Sequence, residues 1–282
     1  MKNLLGIHAL VWSGYWKRND IDFAIGKSSE LGFDIIEIPL LNPYSFDAEY
    51  TKKVLELNDI KAVTSLGLSE ETDISSNNQQ IRNNGKKLLS KALEMTLKIG
   101  ATYMGGVLYS ALKKYDNPPT KDALNHSIEI IRDLCNQATN VGIKIGLEPV
   151  NRYESNLINT ASQALNFIRL TECNNLFVHL DSYHMNIEES SFSKSIAQCG
   201  KKLGYFHFGE NHRGYLGSGH INFKEIFSTM NDINYDGPIT FESFSSTVVE
   251  PKLSNTLAVW RNLWDDSDDL ASKAKSFIEN CI

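Results

Sequence analysis

Four side chains able to do metal or proton chemistry stand at the ends of short apolar runs. Glu148 closes "IKIGLE" (143–148), Asp181 closes "LFVHLD" (176–181), His207 sits in "GYFHF" (204–208) and Glu242 closes "PITFE" (238–242). Taken singly, each has an ordinary structural reading: a helix cap, a partner for Lys or Arg, or a satisfied core histidine. Their recurrence on four consecutive runs is what sets them apart. Three carboxylates crowded into one place repel and raise one another's pKa, and a divalent cation removes that conflict. Three oxygen donors and one imidazole suit Mn2+ first, with Co2+ or Mg2+ next, rather than a thiolate-seeking metal. Four protein ligands leave two octahedral positions, enough for two adjacent oxygens of a substrate. The competing reading is a hydrogen-bonded acid–histidine network with no metal.

The elements that must carry these residues recur along the whole chain. Besides the four runs above there are "LLGIH" (4–8), "DIIEI" (34–38), "KAVTSL" (61–66) and "TYMGGV" (102–107). Short β-branched runs of this kind are strand signals. Helical patterns fill the gaps at 77–100, 120–142, 159–170 and 221–237. In the first of these Ile81, Leu88, Leu89, Ala92, Leu93 and Leu97 lie close to one face. Thr120 is placed to cap the second, which ends at Gly142. Eightfold strand–helix alternation predicts an α/β protein with a parallel sheet, and eight units in 282 residues fit a single (β/α)8 barrel spanning 1–282. An open doubly wound sheet is the alternative, but no Gly-rich dinucleotide fingerprint follows any strand.

In a closed barrel, chemistry gathers at the C-terminal ends of the strands, where the βα loops converge. Strands 5 and 8 are three steps apart around the ring, so Glu148 and Glu242 are expected to approach the site from nearly opposite sides. A substrate held between two carboxylates can lose a proton next to its carbonyl on one face and regain one on the other, which inverts that carbon. A cation supports this by stabilising enediolate charge. Proton-transfer epimerisation therefore fits better than hydrolysis, which needs a positioned water and a leaving-group acid.

Composition excludes several classes. With 41% hydrophobic and 22% charged residues the chain is ordinary for a soluble protein. A formal charge of −6 and the lack of any Lys/Arg-rich block argue against nucleic acid as a partner. No stretch approaches the ~20 apolar residues of a membrane helix, and "MKNLLGIHALVW" reads as the first strand rather than a leader. Cys135, Cys173, Cys199 and Cys281 show no C-x-x-C spacing, so free thiols in a reducing cytoplasm are expected.

The blocks "EPVNRYE" (148–154), "LDSYHMNIEE" (180–189), "HFGENHR" (207–213) and "FESF" (241–244) resemble the D-tagatose 3-epimerase/D-psicose 3-epimerase family of ketose epimerases, within the xylose-isomerase-like barrels. The likeness continues through "LGFDIIEI" (31–38), "GGVLYS" (105–110), "LINTA" (157–161) and "VWR" (259–261). It implies a free ketose as substrate and a homodimer or homotetramer. It places Glu148, Asp181, His207 and Glu242 on the family's metal ligands, and Glu148 and Glu242 on its two acid/base residues. Glu154 falls on an acid that holds the substrate's first carbons, and His184 and Arg213 on residues contacting the oxygens around the carbonyl. Duller readings stay open: Glu154 paired with Arg152, His184 capping a helix near Met185, Arg213 as a solvated loop cation.

Departures from the family pattern cluster where the far end of a sugar would lie. Ser243 stands where a Pro is frequent, Leu112 where a Trp is common, His8 where an aromatic is common, and His220 where an Arg is usual. His8 and Leu112 are thus candidate determinants of substrate choice. A metal-dependent aldose–ketose isomerase on the same barrel is the nearest rival. An apurinic-site endonuclease and a sugar-binding barrel without turnover are more distant ones.

Overall fold

Eight parallel strands pair in sequence order and close on one another, β8 against β1. The computed structural model describes residues 3–281. The first half runs β1 (Leu5–His8), α1 (Arg18–Glu30), β2 (Ile35–Pro39), α2 (Ala48–Leu57), β3 (Lys61–Ser65), α3 (Gln79–Lys98), β4 (Tyr103–Gly105) and α4 (Lys121–Asn140). The second half runs β5 (Lys144–Leu147), α5 (Ala161–Thr171), β6 (Leu176–Asp181), α6 (Ser182–Glu188), α7 (Phe192–Cys199), β7 (Leu203–Phe208), α8 (Phe223–Asp232), β8 (Ile239–Phe241), α9 (Pro251–Thr256) and α10 (Ser267–Glu279). The expected barrel is therefore the observed one. Among the described residues no helix is long and apolar enough to cross a membrane, and all four cysteines are free.

Helix ends follow their capping chemistry. Thr120 Oγ1 accepts from the Ala123 N–H at 3.1 Å to start α4, and Gly142, at φ +73, turns the chain into β5. Asn78 and Asn222 cap α3 and α8, so these helices are shorter than the 77–100 and 221–237 patterns. The buried face of α3 also differs from expectation. Leu89, Ala92, Leu93 and Thr96 are buried, whereas Leu97 is 47% exposed. Thr96 takes the inward position because its hydroxyl meets that of Thr64 on β3 at 2.7 Å.

Strand alternation decides which side chains reach the barrel's centre. Ile7, Ile36, Ile38, Leu147, Val178, Leu180, Phe206, Phe208 and Phe241 join the main apolar core between sheet and helices. The alternate positions fill the barrel. Tyr103 and Tyr205 stack there with centroids 4.9 Å apart, Ile35 and Val63 pack with them, and Tyr205 meets Thr240 at 2.6 Å. One inward step further along the strands come Glu37 after Ile35, Glu148 after Gly146, Asp181 after His179, His207 after Tyr205 and Glu242 after Thr240. A tight aromatic floor therefore lies beneath a charged rim.

Gly146 makes room for that floor: a Cβ there would sit 1.7 Å from Tyr103 Oη and 2.5 Å from its Cζ. Gly146→Ala should cost about 1–3 kcal/mol by overpacking, seen as a lower denaturation midpoint. Gly26→Ala in α1, where a Cβ meets nothing within 4 Å, should be neutral or stabilising by up to ~1 kcal/mol. Equal effects of the two substitutions would contradict the crowding argument.

Candidate metal centre and active-site cavity

The four strand ends converge. One ligand atom from each of Glu148, Asp181, His207 and Glu242 lies within 4.8 Å of the others, and all four residues are buried. His207 Nδ1 is 3.6 Å from Glu148 Oε1 and 3.4 Å from Glu242 Oε1. Asp181 ends β6 and also caps α6, its Oδ1 accepting from the Tyr183 N–H at 2.8 Å. Its Oδ2 accepts from Arg213 Nη1 at 2.8 Å.

The imidazole of His207 is held in a telling orientation. Its Nε2 lies 2.6 Å from Glu37 Oε2, so the ring proton belongs on Nε2. Among the described residues Nδ1 has no hydrogen-bond partner, despite full burial. A neutral imidazole in this pose directs a lone pair at two carboxylates, which is repulsive unless a proton or a cation lies between them. The donor set of three carboxylates and one nitrogen fits a hard to borderline divalent ion.

The electrostatics express the same conflict. Burial pushes the Glu148 carboxyl up to about 8, Glu154 up to about 7 and Asp181 up to about 6. Burial also raises Glu242, but His207 and Arg213 outweigh it and hold that carboxyl well below the usual range. Burial would lower His207; Glu37 and Glu242 instead carry it well above an ordinary histidine. Without a cation the site must retain protons to remain tolerable.

A cavity of about 770 Å³ opens above the cluster. Glu154, His184, Arg213, His8 and Leu112 all line it, together with Glu148, His207 and Glu242. The duller readings of three of them do not hold. Arg152 pairs with Glu188 at 3.0 Å, leaving Glu154 to accept from Asn151 Nδ2 at 2.8 Å. His184 is inside α6, whose cap is Asp181. Arg213 is buried, its Nη1 2.8 Å from Asp181 Oδ2 and 2.5 Å from Glu242 Oε2.

Hydrogen-bond roles follow from these partners. The Asn151 backbone N–H donates to His184 Nδ1 at 3.1 Å, and Arg213 Nη2 lies 3.3 Å from its Nε2. Burial and the Arg213 charge lower this histidine's pKa well below the usual value. Its Nε2 also lies 3.7 Å from Asp181 Oδ2 and 3.9 Å from Glu148 Oε1, at the edge of the cluster. His8 is arranged likewise: Nδ1 accepts from the Leu10 N–H at 3.2 Å, and Nε2 faces Glu37 and Glu242. Arg213 adopts φ +64, a backbone region unusual outside Gly. Ser243 Oγ donates to its carbonyl, and the guanidinium carbon lies 3.8 Å from the centroid of the Tyr183 ring.

Sequence reading passed over several participants. Glu37 is the sole charged residue of β2, and a charge inside an otherwise apolar strand was the available signal. Asn151 joins Glu154 to His184, and nothing in its local sequence distinguishes it from a turn residue. Leu253 and Leu257, on and after α9, also line the cavity and pack against Leu10 and Phe244. His220 lies apart from the cluster, at the exposed surface 3.2 Å from Asn186.

Residues 25–275 match the family model described as a xylose isomerase-like TIM barrel. An L-ribulose 3-epimerase of Methylomonas sp. (strain DH-1) is 48% identical, covering 97% of this chain and 96% of its own. A ketose 3-epimerase of Arthrobacter globiformis is 44% identical, covering 98% and 96%. The crystal structure of a Methylomonas sp. D-allulose 3-epimerase in complex with D-allulose superposes with a TM-score of 0.98 at 47% identity, covering 99% of this chain and 97% of that one. Fold, strand-end cluster and full-length similarity agree, and the chain belongs to the ketose 3-epimerase family of xylose isomerase-like TIM barrels.

Proposed function

We propose that this protein is a metal-dependent ketose 3-epimerase that inverts C3 of a free ketohexose or ketopentose. Glu148, Asp181, His207 and Glu242 hold the cation, with Mn2+ foremost and Co2+ or Mg2+ as substitutes. The observation that carries the reading is the set of four ligand atoms within 4.8 Å on consecutive strand ends, with His207 Nδ1 left unpartnered among carboxylates. The relatives named for L-ribulose and for D-allulose support a ketose of either length. Bound there, the cation supplies positive charge that polarises the substrate carbonyl and stabilises the enediolate.

The chain's own residues perform the proton work. Glu148, after β5, and Glu242, after β8, stand three strands apart in the ring. One takes the C3 proton from one face and the other returns a proton to the opposite face. His184 and the Arg213 guanidinium contact the oxygens around the carbonyl, and Glu154 accepts from a hydroxyl at the near end of the sugar. His8 and Leu112 meet the far end and select among sugars. The same reading makes the protein a cytoplasmic homo-oligomer of one domain; its four free cysteines suit a reducing compartment.

Chelation should abolish activity, and Mn2+ or Co2+ should restore it better than Zn2+. His207→Ala should weaken Mn2+ binding by at least about tenfold. His212→Ala should not, because His212 Nδ1 serves only the Gly214 N–H of its own loop, at 3.1 Å. Full turnover by exhaustively metal-free protein would defeat the assignment.

Stability should respond to pH with a defined sign. In metal-free protein Glu148 and Glu154, raised to about 8 and about 7 by burial, keep protons that the unfolded chain releases near 4.5. Their contribution is therefore lost as pH rises toward those values. The buried His8 and His184, both lowered, oppose this trend only below the usual histidine value of 6.5. Above it His207, whose raised pKa keeps it charged in the fold, adds to the loss. Metal-free Tm should fall between about pH 6.5 and pH 8, and Mn2+ should raise Tm more at the upper value. A flat metal-free profile with equal Mn2+ shifts would count against this balance.

Turnover in D2O should place deuterium at C3 and need place none at C1. Glu148→Gln or Glu242→Gln should stop interconversion by at least about a hundredfold, since an amide cannot take up the proton. Either variant that keeps its metal should still exchange label into one epimer through the remaining carboxylate. Label at C1 or C2, with C3 untouched, would identify an aldose–ketose isomerase instead.

A further inference from the structure

Glu37 has no place in the two-carboxylate reaction, yet it is a carboxylate only 1% exposed in the middle of a strand. Burying a charge is costly unless something in the fold requires it. Among the described residues no Lys or Arg lies within ion-pair distance. Its neighbours there are His207, 2.6 Å from Oε2, and His8, 3.6 Å from Oε1. Oε1 itself has no hydrogen-bond partner. Packing does not explain the acid, because Ile35, one inward step earlier, fills the barrel with hydrocarbon. The contact with His207 is short and fully enclosed, and it spans 170 residues of sequence.

Only one arrangement of protons satisfies this contact with a neutral ring. A carboxylate accepts and cannot donate, so Nε2 must carry the hydrogen and Nδ1 must carry the lone pair. The lone pair then faces Glu148 Oε1 and Glu242 Oε1, at 3.6 and 3.4 Å. A Gln at position 37 could present its NH2 instead, which would move the ring proton to Nδ1 and direct it into the cluster. We infer that Glu37 is a positioning residue: it fixes the tautomer and the tilt of His207 so that Nδ1 is presented as a metal ligand. It also makes that nitrogen more basic, as a carboxylate behind a ligating histidine does. This inference rests on the metal reading of the site.

The test compares full-length wild-type protein with Glu37→Gln, Glu37→Asp, Tyr103→Phe and His207→Ala. Mn2+ affinity is read by calorimetry, and the visible spectrum is recorded after Co2+ loading. Glu37→Gln should weaken Mn2+ binding about 10- to 100-fold and alter the Co2+ spectrum. Glu37→Asp, which keeps the charge but withdraws it by one methylene, should lie in between. Tyr103→Phe removes a buried hydroxyl from the barrel layer beneath and should change neither readout. A folded Glu37→Gln protein with wild-type affinity and spectrum would overturn the inference and leave the metal reading intact. Wild-type protein that bound no Mn2+, or His207→Ala that bound it unchanged, would overturn the metal reading and this inference with it. Should Glu37→Gln fail to fold, ring 15N NMR of Mg2+-loaded wild-type protein decides: a proton on His207 Nε2 supports the inference, and a proton on Nδ1 overturns it.

Discussion

Everything at the mouth of this barrel depends on keeping like charges close together in a buried site. Glu148, Asp181 and Glu242 are all buried, and Glu37 and Glu154 stand beside them. In the metal-free protein two positive charges face them, that of Arg213 and that of a His207 that holds its proton. In a low-dielectric setting that balance is short of positive charge. The raised carboxyls of Glu148, Glu154 and Asp181 record the shortfall. A divalent cation turns the same crowding from a cost into a binding site, and a single requirement thus explains both the buried acids and the unpartnered imidazole nitrogen.

The fold meets this requirement by separating packing from chemistry along each strand. The aromatic and small residues of the inner layer (Tyr103, Tyr205, Gly146, Thr240) fill the barrel, and the next inward position of each strand is free to be polar. Rigid backing matters because proton transfer on two faces needs both carboxylates held in place. The stacked tyrosines and the close approach at Gly146 supply it from below.

Loops supply the remaining precision. Arg213 holds a left-handed backbone conformation, fastened through its carbonyl by Ser243 and against the Tyr183 ring by its guanidinium. Strain of this kind persists where the surroundings over-determine a side chain's position. Ser243, a departure from the family pattern, thus does a definite job here. The apolar contact of Leu253 and Leu257 with Leu10 and Phe244 lines the cavity as well.

Strand alternation and turn chemistry are local, so they were legible in the sequence. The β-branched runs, Thr120 and Gly142 predicted the barrel's units, and strand-end acids on successive units predicted the cluster. The period of two that places Ile145 and Leu147 outward also sends Gly146 and Glu148 inward, whatever the rest of the chain does. What the tertiary structure decided is who faces whom. The contact of Glu37 with His207 crosses 170 residues, Asn151 reaches His184 across 33, and Glu188 draws Arg152 away from Glu154. Thr96, not Leu97, is the residue of α3 that finds a partner on a distant strand. A local pattern carries a side chain's direction, but its partner is set by ring closure, and closure is a property of all eight strands at once.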